Sequence, residues 1–337
     1  LETRLAEQQK IDLLEIVKEI LPTGVSCAYI RQNQALGLGH AVLCAKNFIN
    51  NEAFAVILAD DLIYSDPKNC LKKYYEKQGK KAIVYLVKDQ RAHYYDGATH
   101  PTKNKDGELV MLNEQMIEMM KPLLLAQEYI EDVRIYNGEE IRVDLNKIRE
   151  TFVGMPNFSI NMWYFMVFPD LICDLSKDWF VVPETDKDLA KEKILINRTE
   201  RYQNRNIDYS FIKEFEDNCL FIGTMREYNN FCINFDLNIK KLNVNSFLEY
   251  AQAIKQSKFY LSNQSQGFQI AEGIHHPRII EWCEFAPNVI PNGANGYPFL
   301  GQEALEYCFN YLNGTEQEFF KKLKTRSKEA GNLVEWD

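Results

Sequence analysis

The feature that most constrains the fold is a strict alternation of short apolar runs with helical patterns between Lys193 and Cys283. Four runs of strand length lie in this region: KILIN, CLFIG, KFYLS and RIIEW. Continuous apolar runs of this length are typical of strands that are buried on both faces of a sheet. Strands that alternate with helices predict right-handed crossovers and a mainly parallel sheet with helices on both faces. The sequence therefore predicts an α/β fold.

Similar patterns occupy the first part of the chain. The runs AFAVILA at 53–59 and AIVYLV at 82–87 have the character of buried parallel strands, and a helical pattern between them begins at Pro67. Together they predict one βαβ unit. The 337 residues are enough for two or three domains, and the 46% apolar content can fill their cores.

Charge and cysteine content argue against several classes of function. The chain has 39 basic and 48 acidic residues, a formal charge of −9, and no dense Lys/Arg stripe that would neutralise a nucleic acid. Its eight cysteines contain no C-x-x-C pair, which favours reduced thiols over zinc or disulfides. The longest apolar stretch, 162–168, is far shorter than the roughly 20 residues that span a bilayer. We therefore expect a cytoplasmic protein without a nucleic-acid partner or a transmembrane segment.

In an open parallel sheet, ligands bind beyond the carboxyl ends of the strands, so polar residues after each apolar run are candidates for a site. In the loop 31–40, Gly37 and Gly39 let backbone N–H groups approach a ligand, although a glycine pair also serves as a plain turn. Asp60 and Asp61 directly follow AFAVILA. Carboxylates at that position suit Mg²⁺ that bridges phosphates, or they cap the following turn.

Two polar loops in the second half carry phosphate-binding chemistry. The loop after KILIN contains Arg198, Thr199 and Arg201, whose hydroxyl and guanidinium groups suit a diphosphate, with surface ion pairing as the alternative. The segment 262–267 precedes a helix, so its N–H donors suit an anion unless the loop only caps that helix. Glu272, further along the helix, is either a ribose ligand or an exposed acid.

Histidines form two further candidate groups. His275 and His276 lie close to Arg278, but the spacing offers no third ligand for zinc. A neutral histidine near a cleft can act as a general base, and simple packing is the alternative. His93 and His100, in a segment rich in tyrosine, have the same two interpretations.

The runs YIRQNQALGLGHAVLCAK and FAVILADDLI make residues 1–62 similar to bacterial UTP-glucose-1-phosphate uridylyltransferase. The resemblance implies that Gln32 and Gly37 lie against the uridine and that Asp60 holds Mg²⁺. The Gly-rich signature that binds the triphosphate in that family is missing here, as are its later lysine and acidic motifs. The resemblance therefore implies a partial nucleotidyltransferase segment.

The remaining segments, among them IYSDP, HYYDGATHP, ILINRTERYQN and FYLSNQSQGFQIAEG, resemble bacterial proteins related to the heptosyltransferases of glycosyltransferase family nine. This resemblance implies two facing Rossmann-like parallel-sheet domains, the GT-B arrangement, with a nucleotide sugar held mainly by the C-terminal domain. It implies donor-binding roles for residues of both polar loops and the helix that follows: Thr199, Arg201, Asn263, Gln264, Ser265 and Glu272.

The chain is accordingly interpreted as a join of two families. We expect a partial nucleotidyltransferase-like segment at 1–62, an N-terminal Rossmann-like half at 63–190 and a C-terminal nucleotide-sugar-binding half at 191–337.

The first hypothesis for function is a glycosyltransferase that moves a sugar from a nucleoside diphosphate to an acceptor of the cell-surface polysaccharide or lipopolysaccharide type. Asp60, Asp61 and His100 are the candidates for its catalytic base. The first alternative is uridylyl transfer from UTP to glucose 1-phosphate, with Mg²⁺ as cofactor. The second alternative is a non-catalytic fusion product.

Overall fold

A computed structural model describes residues 81–91, 102–149, 159–179 and 181–329. The chain divides into two compact units, Leu1–Tyr64 and Ser65–Asp337, and every described residue lies in the second unit. None of the helices in these ranges combines the length and the hydropathy of a bilayer-spanning segment.

The first described elements form a small parallel βαβ arrangement. Strand β1 (Ala82–Leu86) pairs with β2 (Ile130–Ile135), and helix α1 (Glu114–Leu125) lies between them in the chain. The run AIVYLV is thus a strand, as predicted. The side-chain oxygen of Asn113 accepts a hydrogen bond from the Met116 N–H (2.9 Å), which satisfies one of the free donors at the start of α1.

A long connection leads from β2 to the second half. It contains 3₁₀ turns at Leu145–Arg149 and Pro169–Leu171, with the short helix α2 (Ile160–Val167) before the second. Val181, which follows these elements, is bonded to the side-chain amide of Gln127. The Val181 N–H donates to the amide oxygen (2.9 Å), and the amide nitrogen donates to the Val181 carbonyl (3.0 Å). This pair of bonds ties the connection to the end of α1.

Six strands then form a wholly parallel sheet: β3 (Ile194–Asn197), β4 (Cys219–Ile222), β5 (Lys240–Leu242), β6 (Phe259–Asn263), β7 (Arg278–Glu281) and β8 (Gly296–Phe299). Their spatial order is β5-β4-β3-β6-β7-β8. Strands β4 and β5 are therefore added in turn on one side of β3. The chain then crosses to the other side of β3, where β6, β7 and β8 are added in turn. This is the doubly wound order, with a switch point between β3 and β6.

Helices connect and cover these strands: a 3₁₀ helix at Ser210–Asn218, α3 (Met225–Phe235), α4 (Phe247–Gln256), α5 (Gln266–Gly273), α6 (Gln302–Asn313) and α7 (Glu316–Glu329). Helix α3 begins with a capping box, in which the Thr224 hydroxyl accepts from the Glu227 N–H and the Glu227 carboxylate accepts from the Thr224 N–H. Helix α6 ends at Gly314, whose φ of 75° suits glycine.

The core lies on both faces of the six-stranded sheet. Ile194 and Ile196 of β3 face one buried cluster, whereas Leu195 between them faces the other. Strands β3 and β6 are buried along their whole length. A strand that packs on both faces needs apolar residues at successive positions, which explains the continuous apolar runs.

The α/β class with parallel sheets is confirmed. The short strands β5 and β8 were not predicted, because KKL and GYPF lack an apolar run. The two-domain GT-B arrangement and the domain limits at 62 and 190 stay predictions.

Candidate functional site

The carboxyl ends of β3 and β6 lie side by side at the switch point of the sheet. Asn197, the last residue of β3, is in register with Ser262 of β6. The loops that leave these two strands run in opposite directions along the sheet, which opens a crevice between them in folds of this kind. The two polar loops singled out in the sequence therefore start at neighbouring points.

Hydrogen bonds join the two loops directly. The side-chain oxygen of Asn263 accepts from the Thr199 N–H (2.9 Å) and hydroxyl (3.2 Å). Its side-chain nitrogen donates to the carbonyl oxygens of Thr199 (3.0 Å) and Arg201 (2.6 Å). Asn263 is fully buried, so these bonds have no competition from solvent.

A buried ion pair between Arg198 and Glu281 holds the start of the same loop. Arg198 donates two hydrogen bonds to the carboxylate of Glu281, at 2.7 and 2.9 Å, and the Tyr209 hydroxyl donates a third (2.6 Å). The backbone N–H of Asn204 also donates to Glu281. Burial lowers the pKa of Arg198, but the bonds and charge of Glu281 and Tyr209 outweigh it, and the net pKa is raised. Burial and the charge of Glu281 raise the pKa of Tyr209.

Arg201 and Thr199 are the predicted phosphate ligands on this loop. Both are half-buried, and the Arg201 guanidinium lies 5.4 Å from the centroid of the Tyr202 ring. Tyr202 has a φ of 53°, a left-handed conformation that is costly for a large side chain. Glu200, between the two predicted ligands, is paired with Arg226 of α3.

Helix α5 begins directly beside this loop. The Ser265 hydroxyl accepts a hydrogen bond from the Phe268 N–H (3.3 Å) and caps the helix. Gly267, in the first turn, has no room for a side chain, because an added Cβ would lie 2.1 Å from the Tyr260 hydroxyl and 2.3 Å from the Tyr250 hydroxyl. The first turn of α5 is therefore packed closely against the Tyr250 and Tyr260 hydroxyls.

Gln264 and Glu272 bind other parts of the protein. The Gln264 side-chain nitrogen donates to the Ala286 carbonyl and to the Asn288 side chain, each at 2.8 Å. Glu272 is buried and paired with the equally buried Arg278. The Glu272 carboxylate also accepts two bonds from Asn292. Sequence position alone gave no signal of these contacts, and direct ligand binding by either residue stays a prediction.

The hollow next to the first loop is small. It has a volume of about 210 Å³ and is lined mainly by polar side chains: Arg198, Glu200, Gln203, Glu227, Asn230, Phe231 and Asn234. A larger open groove of about 880 Å³ lies elsewhere, between the 3₁₀ helix at Ser210–Asn218 and helices α6 and α7. Charges of both signs line that groove.

The two histidines that were predicted as one group lie in different environments. His275 is close to the Asp178 carboxylate (2.8 Å, from Nδ1) and to the Leu175 carbonyl (3.0 Å, from Nε2). His276 is half-buried beside the Ser257 hydroxyl (3.0 Å). Burial lowers the pKa of His276 to about 4. Both histidines are thus bonded to other parts of the protein, and none of these bonds involves the loop at 198–204.

The remaining predicted site residues lie outside the described residues: Gln32, Gly37, Asp60, Asp61, His93 and His100. Within the described ranges, no cluster of three or more His, Cys, Asp or Glu side chains is arranged to hold a metal ion. Sequence reasoning missed Glu281, the residue that anchors Arg198. The available signal was that Glu281 directly follows the apolar pair Ile279 and Ile280 in the run RIIEW.

Comparison with known proteins concerns the first third of the chain. Residues 3–114 match the nucleotidyl transferase family. The UTP–glucose-1-phosphate uridylyltransferase of Bacillus subtilis is 42% identical over 98 residues, which are 28% of this chain and 33% of that protein. The enzyme of the same name from Haemophilus influenzae is 49% identical over 63 residues, 19% of this chain and 21% of that protein.

A third relative, UTP–glucose-1-phosphate uridylyltransferase 1 of Staphylococcus saprophyticus, is 38% identical over 117 residues, 34% of this chain and 40% of that protein. The chain thus spans between about a fifth and two fifths of the length of these relatives. No solved structure matches the chain. The N-terminal segment is therefore similar to nucleotidyl transferases, and this similarity continues beyond residue 62 to residue 114.

Proposed function

We propose that the N-terminal part of the chain handles UTP in a uridylyl transfer, in which glucose 1-phosphate attacks the α-phosphorus of UTP and diphosphate leaves. The observation that carries this proposal is the 42% identity to a UTP–glucose-1-phosphate uridylyltransferase over 98 residues. Gln32 and Gly37 are the proposed uridine contacts. These residues belong to the run RQNQALGLG, which the chain has in common with that family.

Asp60 is the proposed ligand of Mg²⁺ in this reaction. Two adjacent carboxylates, Asp60 and Asp61, follow an apolar run of strand length, and Mg²⁺ prefers one or two carboxylates together with phosphate oxygens and water. The ion would neutralise negative charge on the triphosphate. The protein's own part is to orient the nucleotide through Gln32 and the Gly37 backbone.

The test uses the full chain, UTP, glucose 1-phosphate and Mg²⁺, with release of diphosphate and thermal stability as two readouts. We expect UTP to raise the melting temperature only when Mg²⁺ is present, and Asp60→Asn to abolish that rise. Asp66→Asn, a nearby carboxylate without a proposed role, is the matched control. A UTP effect that persists without Mg²⁺ and in Asp60→Asn would refute the proposal.

A second candidate function, glycosyl transfer from a nucleoside-diphosphate sugar, is favoured by one feature of the six-stranded domain. Its doubly wound strand order brings the polar loop at 198–204 beside the N-terminus of α5. Backbone donors of a helix N-terminus and an arginine are the usual recognition elements for a diphosphate. Thr199, Arg201 and Ser265 are therefore the proposed contacts for the donor phosphates.

The other predicted donor residues fit this candidate less directly. Because the Glu272 carboxylate is bonded to Arg278 and Asn292, a ribose would have to displace one of these partners. The side chains of Asn263 and Gln264 are likewise bonded within the protein. In this candidate the two Rossmann-like halves at 63–190 and 191–337 form a GT-B arrangement, and Asp60, Asp61 or His100 acts as base toward a sugar acceptor.

Nucleotide preference separates the two candidates. Glycosyl transfer predicts that UDP or another nucleoside diphosphate stabilises the chain without Mg²⁺, and that Arg201→Ala removes this effect. Uridylyl transfer predicts a preference for UTP with Mg²⁺ that Arg201→Ala leaves intact. A chain that responds to none of these nucleotides would refute both and would support a non-catalytic fusion product.

A further inference from the structure

The loop 198–204, here called the β3 loop, is held by the last residues of two neighbouring strands. Asn263 ends β6 and Glu281 ends β7, and the two residues are in register. Asn263 binds the first half of the β3 loop, at Thr199 and Arg201. Glu281 binds both of its ends, through the Arg198 side chain and the Asn204 N–H. The sheet therefore fixes the loop at four of its residues.

The polar atoms of Asn263 are directed at this loop. Its oxygen accepts from Thr199 and its nitrogen donates to two carbonyl groups of the loop. An asparagine side chain has two donor hydrogens and one acceptor oxygen, and here both donors and the oxygen have partners. Since Asn263 is also fully buried, a ligand would reach the surface of the β3 loop before it reached this side chain.

The part of the loop that Asn263 holds is strained. Tyr202 has a φ of 53°, and bulky residues adopt this left-handed conformation only when the surrounding structure enforces it. Gln203 contributes a further bond, from its side-chain nitrogen to the Thr199 carbonyl (2.8 Å). These bonds keep the backbone on either side of Arg201 in one conformation.

We propose that Asn263 is a positioning residue, which does not touch the ligand and instead holds the backbone at Thr199 and Arg201, so that the Arg201 side chain lies where it binds the phosphates of a nucleoside diphosphate. This inference rests on the second candidate function, a diphosphate ligand at the switch point. Without the bonds from Asn263, relief of the strain at Tyr202 moves the loop out of its binding conformation. The apparent affinity then falls in proportion to the fraction of molecules that keep the binding conformation.

The test combines amide hydrogen exchange of the β3 loop, without ligand, and titration with UDP and with inorganic diphosphate. Asn263→Ala is expected to lower the protection of the Thr199 amide roughly tenfold or more, as for the loss of buried hydrogen bonds. The dissociation constant for UDP is expected to rise roughly tenfold as well. The effect should be similar for diphosphate, because the loop contacts phosphate.

Two further variants separate positioning from a general loss of structure. Gln203→Ala removes one bond from the half-buried surface of the β3 loop and should produce the same two changes to a smaller degree. Tyr202→Asn in the Asn263→Ala chain should restore part of the affinity, because asparagine adopts left-handed conformations more readily than tyrosine. Gln264→Ala, which loosens a different loop, serves as the control for hydrogen exchange and should leave the β3 loop unchanged.

Each result bears on a separate step. Loss of affinity with unchanged exchange would show that Asn263 contacts the ligand, and increased exchange with unchanged affinity would show that the loop conformation is irrelevant; either overturns the inference. A wild-type chain that binds neither UDP nor diphosphate refutes the candidate function itself. In that case, unchanged exchange in Asn263→Ala would separately refute the role of Asn263 in holding the loop.

Discussion

Replacement of Glu281 by alanine is expected to destabilise the six-stranded domain severely. The Glu281 carboxylate accepts two bonds from Arg198, one from the Tyr209 hydroxyl and one from the Asn204 N–H. Alanine removes all four and leaves the Arg198 charge without its carboxylate partner. The arginine also packs against the Tyr209 ring, 5.0 Å from its centroid, so it has little freedom to turn toward water.

The size of the effect follows from burial. Glu281 is 0% exposed and Arg198 is 7% exposed, so solvent does not screen either charge. Removal of one partner from a buried ion pair typically costs about 3–5 kcal/mol. Domains have a total stability of about 5–15 kcal/mol. The substitution should therefore remove at least about a fifth of the free energy of unfolding.

Urea unfolding of the full chain, followed by circular dichroism, measures this loss. Glu214→Ala is the matched control, because Glu214 pairs with Lys322 at 2.9 Å but both side chains are more than half exposed. Exposed pairs contribute ~0–1 kcal/mol, so the control should change the unfolding free energy little. The contrast between the two variants isolates the effect of burial from that of ion pairing.

A double substitution, Arg198→Met with Glu281→Leu, tests the reasoning further. Apolar residues of similar volume often replace a buried ion pair at little cost, so the double variant should be more stable than Glu281→Ala. The reasoning is refuted if Glu281→Ala costs less than about 1 kcal/mol, the range of an exposed pair. It is also refuted if the double variant loses as much free energy of unfolding as Arg198→Met and Glu281→Leu lose together as single variants. Residues in contact should instead give effects that do not add.

Three other substitutions test a close packing contact, the protonation of a histidine and a helix cap in the same domain. Gly267→Ala would bring a Cβ within 2.1 Å of the Tyr260 hydroxyl, so urea unfolding should show a loss of about 1–3 kcal/mol. A Tyr250→Phe background should relieve part of that loss, and an unchanged midpoint would contradict the close packing. The pKa of His276 is about 4 in the folded chain and 6.5 when unperturbed. Because the unfolded chain binds the proton first, stability should fall by about 1.4 kcal/mol per unit as pH decreases from 6.5 to 4, and a His276→Gln variant should lack this decrease. Thr224→Ala removes the cap of α3 and should cost about 1 kcal/mol in thermal unfolding, whereas an equal melting temperature would contradict a stabilising cap.

The central strands could be predicted from the sequence because both of their faces are buried. The runs KILIN and KFYLS became β3 and β6, which are buried throughout. Strand β5 is only three residues long and carries two lysines, and β8 contains glycine and proline, so neither has an apolar run. Their place in the sheet depends on backbone hydrogen bonds to neighbours, which leave no periodic signal in the side chains.

The proximity of the two polar loops could be predicted, but the direction of their side chains could not. Parallel strands bring the ends of β3 and β6 together, and Thr199 indeed lies within hydrogen-bonding distance of Asn263. Whether Asn263 faces a ligand or the protein depends on the path of the 198–204 backbone, which no local pattern reveals. Likewise, the partners of Glu272 include Asn292, which is 20 residues away along the chain.

The two edge strands of the six-stranded sheet carry residues that disfavour pairing with a strand of another molecule. At one edge, β5 presents Lys240 and Lys241, whose charges would repel the same edge of a second molecule. At the other edge, β8 contains Pro298, which has no N–H to offer an incoming strand. Lengthening of the sheet by edge-to-edge addition is therefore disfavoured on both sides, even though its interior is strongly apolar.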